Sequence, residues 1–405
     1  MVINNSLGSA PSDLRRQNRS VVLRAIAANN GVSRTQLAQS TGLSLMAITR
    51  ITRELIDAKL IAEGSKFPTG HFAGRQYTAL EIRPSGAYVF GIAVSASNQC
   101  VALCDANGHI LREATVRFDN LQDAERTISE MAGQVGHLID AANIDRRRVL
   151  GIGVAISGFV DSPTGTIVSA PYLGWGRVEL ARVLEKLSGL PVVVENIANA
   201  LNVAEVEVGV CSGKRDVLLL RSATAIGASL IANGQVVRGA SCRAGLVGYM
   251  PHLHAGKVSS RTGTTLNAVA SGWAVLSALG IADADHLKPE MVNENTRRIA
   301  DVADRVANGD KDVIAACYDA GYRLGEALSA FCLFLDPKAV ILAGAMARIS
   351  QYVDGVNASW SANPLHEQID LLTAAASDSF AAGYLAVRAF LLSPQLELEP
   401  LRDAA

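Results

Sequence analysis

The 405-residue chain has no apolar run long enough to span a bilayer, and residues 1–30 contain no hydrophobic segment of the signal-peptide kind. These absences argue against helical membrane insertion and export, and predict a cytoplasmic protein with no membrane partner. Cysteine is scarce and scattered. The six cysteines (100, 104, 211, 242, 317 and 332) sit in mostly apolar settings, which excludes a disulfide framework and reads as reduced core thiols. Cys100 and Cys104 have the spacing of a metal half-site, but lie in a strand-like run with no second half nearby. Net charge is also nearly absent, formally −1, yet it is unevenly spread. Residues 12–83 hold 11 basic and 5 acidic side chains, and the remainder is net acidic. A basic head on an acidic body suits a nucleic-acid module joined to something else.

The head is built around residues 33–60, SRTQLAQSTGLSLMAITRITRELIDAKL. Ser33 is placed to cap one short helix, Thr41-Gly42 to end it, and Ser44 to cap a second. Ile48, Ile51, Leu55 and Ile56 recur at helical spacing for a buried stripe, with Leu37 and Ala38 facing inward from the first helix. The opposite face shows Ser44, Leu45, Met46, Ala47, Thr49, Arg50 and Arg53. Small and hydroxylated residues let a helix approach base edges, and arginines reach guanines or phosphates. Arg34, at the start of the first helix, joins this set. An ordinary helical hairpin is the plain alternative. A helix over 13–28 backs the pair, and its Arg15, Arg16 and Arg19 either meet phosphates or form a solvated face. The strand–loop–strand pattern after residue 60 reads as a wing whose Lys66, His71 and Arg75 reach DNA, or as a charged linker.

Pro84-Ser85-Gly86 marks a boundary. Beyond it, 87–94, 99–104 and 109–118 read as a three-strand meander, followed by helix 122–143, strand 149–156, a loop over 157–165, strand 166–169, helix 178–188, strand 191–194 and helix 197–209. A second meander follows at 216–221, 225–232 and 235–237. Helices are expected at 264–279, 294–307, 311–334, 345–357 and 378–392, with strands at 339–342 and 368–372. Two meanders, each followed by mixed helix and strand, predict two related α/β lobes around a cleft. The expected domains are 1–83, then one lobe from 84–198 plus 378–405, then a second from 199–377.

Several stretches resemble the ROK family of repressors, open reading frames and kinases. GIGVAISGFVDSPTGTIVSAPYLGW is the most specific, and ENIANALNVAEVEVG, DPKAVILAGAM and AAGYLAV add to it. The resemblance covers residues 12–395 and implies an actin-like (RNase H-like), two-lobed sugar-kinase-type body behind a winged helix-turn-helix. It also implies a homodimer or homotetramer. The departures from it are as informative. The kinases' first phosphate loop, Asp-Gly-Gly-Thr, aligns within residues 91–98, where Ala93 replaces the carboxylate that organises magnesium and Ser95 and Ala96 replace glycines. The second, Gly-Thr-Gly-Ile-Gly-Gly, reads Ala223-Thr224-Ala225-Ile226-Gly227-Ala228. The catalytic Asn-Asp pair reads Asn196-Ile197, and isoleucine cannot take a proton. The adjacent Glu195 is expected to point elsewhere.

The family's zinc ligands, one His and three Cys, align with Tyr249 and with about Val258, Ser260 and Thr265, so no thiolate or imidazole remains among them. His252 and His254 offer only two ligands. Tyr249 is expected to stand where the imidazole would lie and to send its hydroxyl to a backbone partner. The family's sugar-contacting glutamates align with Leu246 and Asn267, and Ser157 replaces a proline. By this resemblance Ser157, Gly158, Asn196, Leu246, Tyr249 and Asn267 are the candidate ligand contacts, with Asn196 equally readable as a helix cap. The chain therefore reads as a DNA-binding regulator, a repressor of carbohydrate-related genes, with a non-catalytic body, no cofactor and no metal. A double-stranded DNA operator and a sugar-type effector are its expected partners. The competing readings are a body that is scaffold alone, and an active carbohydrate kinase carrying an accessory head.

Overall fold

Serine side chains open both short helices of the head. The computed structural model describes residues 11–29, 31–68, 76–95, 99–116, 121–251, 265–281 and 292–404. Helix α1 spans Pro11–Ala28, α2 Arg34–Thr41 and α3 Leu45–Asp57. Ser33 Oγ accepts the Gln36 N–H at 3.2 Å while Gln36 Oε1 accepts the Ser33 N–H at 2.9 Å, completing a capping box. Gly42 ends α2 at φ 71°, a left-handed turn that glycine adopts without a Cβ penalty. Ser44 Oγ accepts the Ala47 N–H and starts α3. Leu37, Ile48, Ile51 and Leu55 are fully buried. Strands β1 (Ile61–Pro68) and β2 (Gln76–Ile82) pair antiparallel as the wing. Its tip, with His71 and Arg75, lies outside the described residues. Lys66 stands on β1, but its side chain also lies outside them.

The body repeats one topology twice. Strands β3 (Tyr88–Val94), β4 (Gln99–Asp105) and β5 (Ile110–Thr115) form a meander, then come α4 (Ala124–Ala142), β6 (Val149–Ile156), β7 (Phe159–Asp161), β8 (Thr166–Ser169), α5 (Leu180–Ser188), β9 (Val192–Asn196) and α6 (Ile197–Glu207). The sheet order is β5-β4-β3-β6-β9, with β6 and β9 added in parallel. The second meander is β10 (Val217–Ser222), β11 (Ile226–Ala232) and β12 (Gln235–Val236). Helices α7 (Leu266–Ala270), α8 (Gly272–Ala278), α9 (Val292–Ala307) and α10 (Lys311–Leu335) precede β13 (Ala339–Ala343), α11 (Ser350–Ser361), β14 (Asp370–Thr373), α12 (Asp378–Ala386) and α13 (Glu399–Arg402). The second sheet, β12-β11-β10-β13-β14, has the same order as the first.

The GIG motif of β6 serves packing. A Cβ on Gly153 would lie 2.1 Å from the Ala382 carbonyl, and one on Gly91 would lie 2.4 Å from the Gly383 nitrogen. Their bare backbones let α12 lie directly on the first sheet. Four elements differ from expectation. The helix expected over 264–279 breaks at Ser271, whose hydroxyl caps α8 by accepting the Ala274 N–H. The helix expected at 345–357 begins only at Ser350, after a single 3-10 turn. The helix expected to run to 392 leaves α geometry at Val387 and closes as a π-turn through Leu391. The loop over 157–165 holds β7, paired with β8.

Head and body share one core. Val22, Leu23 and Ile26 of α1 belong to the same buried cluster as Tyr384, Leu391, Leu392, Leu396 and Leu401. Ser20 Oγ donates to the Leu392 carbonyl at 2.7 Å. This packing corrects the reading of the α1 arginines. Arg19 is buried and donates to the Leu396 carbonyl, so it is unavailable to phosphates. Arg15 pairs with Glu54, and Arg16 with Glu397 at 2.8 Å.

Candidate functional site

Two sites emerge, one on the head and one between the sheets. On the head, the buried stripe of α3 turns the other face to solvent. Leu45 is 52% and Met46 83% exposed, and Thr49, Arg50 and Arg53 are exposed beside them. Thr49 Oγ1 donates to the Leu45 carbonyl, leaving its lone pairs outward. Arg50 and Arg53 make no ion pair or side-chain hydrogen bond among the described residues, and two exposed apolar side chains flank them. Arg34 behaves differently. Its Nε donates to Thr52 Oγ1 at 3.1 Å and its Nη2 to Glu63 at 2.8 Å, tying α2 to α3 and the wing. These bonds hold its guanidinium against α3 and the wing.

The second site is a cavity at the C-terminal ends of β6, β9 and β10 and the start of β11. Ser157, Gly158, Asn196, Leu246 and Tyr249 line it, as expected. Asn267 does not, and this corrects its assignment. It is buried behind Gly248, and its Oδ1 accepts the Ile226 N–H at 2.8 Å, fixing the loop before β11. Asn196 is the N-cap of α6. Its Oδ1 accepts the Ala198 and Asn199 N–H groups, and its Nδ2 donates to the Gly158 carbonyl at 2.8 Å. Ile197, at the position of the missing base, lines the cavity beside it.

Glu195 is indeed turned away from the cavity. Its Oε1 accepts from the Asn196 N–H and Asn199 Nδ2, and its Oε2 pairs with Arg238 at 2.5 Å. Two more ties cross between the sheets. Arg221 of β10 pairs with Asp378 of α12 at 2.7 Å and donates to Ser95 Oγ, at the end of β3. The Tyr249 hydroxyl meets the Tyr172 hydroxyl at 3.1 Å, where a backbone partner was expected. Burial, and then the adjacent Tyr249, push the Tyr172 phenol pKa upward, so Tyr172 stays protonated. Arg221, Arg238 and Tyr172 are the participants that motif reading missed. Tyr172 stands within the PYLGW stretch, and an aromatic there was the available signal.

The turn aligned with the family's zinc site closes through ordinary bonds. The Ala228 N–H donates to the Gly245 carbonyl, and the Leu266 N–H to the Met250 carbonyl, both at 2.9 Å. Among the described residues no cluster of three or more His, Cys, Asp or Glu could hold a metal, and no helix is long and apolar enough to cross a membrane. His252 and His254 lie outside them.

A winged helix-turn-helix joined to a duplicated α/β body of the sugar-kinase architecture is the class this fold defines. The chain belongs to the ROK family, whose profile matches residues 89–385, and a winged helix-turn-helix DNA-binding profile matches residues 15–62. The xylose repressor of Caldicellulosiruptor bescii is 26% identical over 58% of this chain and 59% of its own length. The chain thus spans less than two thirds of that relative. A ROK family transcriptional regulator of known structure, a homologue of the E. coli MLC protein, superposes with a TM-score of 0.75 at 22% identity, covering 96% of this chain and all of its own. A ROK glucokinase from Streptomyces griseus, solved with glucose and AMPPNP, gives a TM-score of 0.58 at 20% identity, over 76% of this chain and all of its own.

Proposed function

We propose that this chain is a DNA-binding transcriptional regulator, a repressor of sugar-related genes, whose body does not catalyse phosphoryl transfer. The solvent face of α3 carries the reading. Among the described residues Arg50 and Arg53 have no partner, and they stand on a capped helix, a form that fits a major groove. Leu45, Met46, Ala47 and Thr49 flank them for base contact, and Ser44, Lys66 and Arg75 extend the contact to backbone. The names of the repressor relatives support the sugar connection. Residues 1–83 form the DNA module, 84–198 with 378–405 one lobe, and 199–377 the other, and a homodimer or homotetramer would present two heads to one operator. The interlobe cavity is the effector site. Against a kinase stand Ala93, Ile197 and the alanines of the second phosphate loop.

The test selects duplexes from a random pool with the full chain, then assays ADP release with glucose, N-acetylglucosamine and N-acetylmannosamine. A specific operator and no hexose-dependent ADP are expected. Hexose-dependent ADP release that a cavity substitution abolishes would overturn the non-catalytic reading, and failure to enrich any sequence would overturn the DNA reading.

A further inference from the structure

The hydrogen-bonding inventory of the cavity wall constrains what it can hold. Among the described residues its only charged lining side chains are Arg221 and Arg238, and no carboxylate lines it. Arg221 is turned onto Asp378 and Ser95. Arg238 places Nε and Nη2 on Glu195, and Nε also on Ser162, which leaves the two Nη1 N–H groups with no acceptor among the described residues. Both Glu195 oxygens are already occupied. The Asn196 oxygen accepts two backbone N–H groups, so Asn199 Oδ1 is the one lining amide oxygen without a donor. The two tyrosine hydroxyls are engaged with each other. The Ser157 and Thr224 hydroxyls also line it, and the remaining wall is largely apolar, formed by Phe159, Val160, Ile197, Leu246 and a run of alanines.

A hexose brings several hydroxyl donors, and each one buried without an acceptor weakens binding by about tenfold. This wall offers few side-chain acceptors, Asn199 Oδ1 and the Ser157 and Thr224 hydroxyls, and sets free donors on one cation beside apolar and aromatic surface. A second guanidinium, Arg243, sits 5.6 Å from the ring centroid of the lining Phe159.

We infer that the ligand is a small organic carboxylate with an apolar body and few hydroxyls, its carboxylate bound by Arg238 Nη1 and its body lying between Phe159, Leu246 and the tyrosine pair. The inference rests on the reading of this cavity as the effector site and names the ligand class for it. Carboxylate and guanidinium form charge-assisted hydrogen bonds that neutral donors do not match, and the aromatic walls suit a flat or branched body. Leu246 adds apolar surface where the resemblance places a glutamate in the sugar-binding relatives.

The experiment measures binding to the full chain by calorimetry and thermal shift. Benzoate, phenylacetate and 2-oxoisovalerate are the carboxylate probes, with D-glucose, D-xylose and N-acetylglucosamine as the neutral ones. At least one carboxylate should bind more tightly than every neutral sugar. Arg238→Lys keeps a cation on buried Glu195 while removing the free N–H pair, and should weaken that binding by about tenfold or more. Leu246→Glu, at a position partly open to solvent, should weaken it similarly by opposing the anion. Arg50→Ala, on the head, should leave it unchanged. A neutral sugar that binds more tightly than every carboxylate overturns the ligand class and leaves the effector site standing. Carboxylate binding unaffected by either cavity variant places the ligand elsewhere and also overturns the inference. Absence of saturable binding by all six probes, in protein that still binds its operator, removes both the ligand class and the effector reading.

Discussion

In the head, the motif's own residues do the motif's work. Ser33 and Ser44 cap, Gly42 turns, Ile48, Ile51 and Leu55 bury, and the exposed face retains its arginines. In the cleft, the backbone frame persists while its chemistry has been replaced. Ala93 stands for a carboxylate, Ile197 for a base, Leu246 for a glutamate and Tyr249 for a histidine. The sheets are joined there by protein pairs, Arg221 with Asp378, Arg238 with Glu195 and Tyr172 with Tyr249. The contrast teaches that side-chain pairs can tie two lobes of the sugar-kinase arrangement together at the positions where the family resemblance places nucleotide and metal groups.

Each half of the contrast can be broken. The largest effect is expected from Arg221→Met, which leaves Asp378 largely buried without its cation. It should cost about 3 kcal/mol in denaturant unfolding, and an unchanged midpoint would show that the tie is not structural. Arg50→Ala should weaken operator binding by about 1–3 kcal/mol while leaving the melting temperature in place. Arg34→Ala should instead act through stability, since its donors are engaged within the protein, and an affinity loss without destabilisation would reverse that assignment. Ser44→Ala should cost about 1 kcal/mol by removing the α3 cap. The smallest effect is expected from EDTA, which should leave both melting temperature and operator affinity unchanged, with less than one zinc per chain by elemental analysis. A chelator-induced drop in melting temperature would reveal a metal that the turn at 245–249 does not need.

The parts legible in the sequence were those with short-range causes. Both meanders followed from strand periodicity and turn residues, and α2 and α3 from caps within three residues of their partners. Asn196 was readable as a cap because the N–H groups its side chain accepts from lie two and three residues ahead. Ser271 hid a helix break inside an apolar pattern that continued across it. The burial of Arg19 was invisible because the carbonyl it meets lies 377 residues away. The pairs across the cleft join positions 43, 77 and 157 residues apart, and no local pattern announces them. Asn267 was placed at the ligand by alignment of position, but its amide is turned into the loop it supports.

The interlocking of α1 with residues near the far end of the chain sets an order of events during synthesis. Ser20 and its acceptor at Leu392 are 372 residues apart, so at about 5–20 residues per second a nascent α1 waits roughly 20–70 s for that partner. Throughout that interval the apolar stripe of Val22, Leu23 and Ile26 lacks its final cover and is a candidate client for chaperones. The helix that backs the head is consequently covered only once residues near 392 are made, and a prematurely terminated chain would lack that cover.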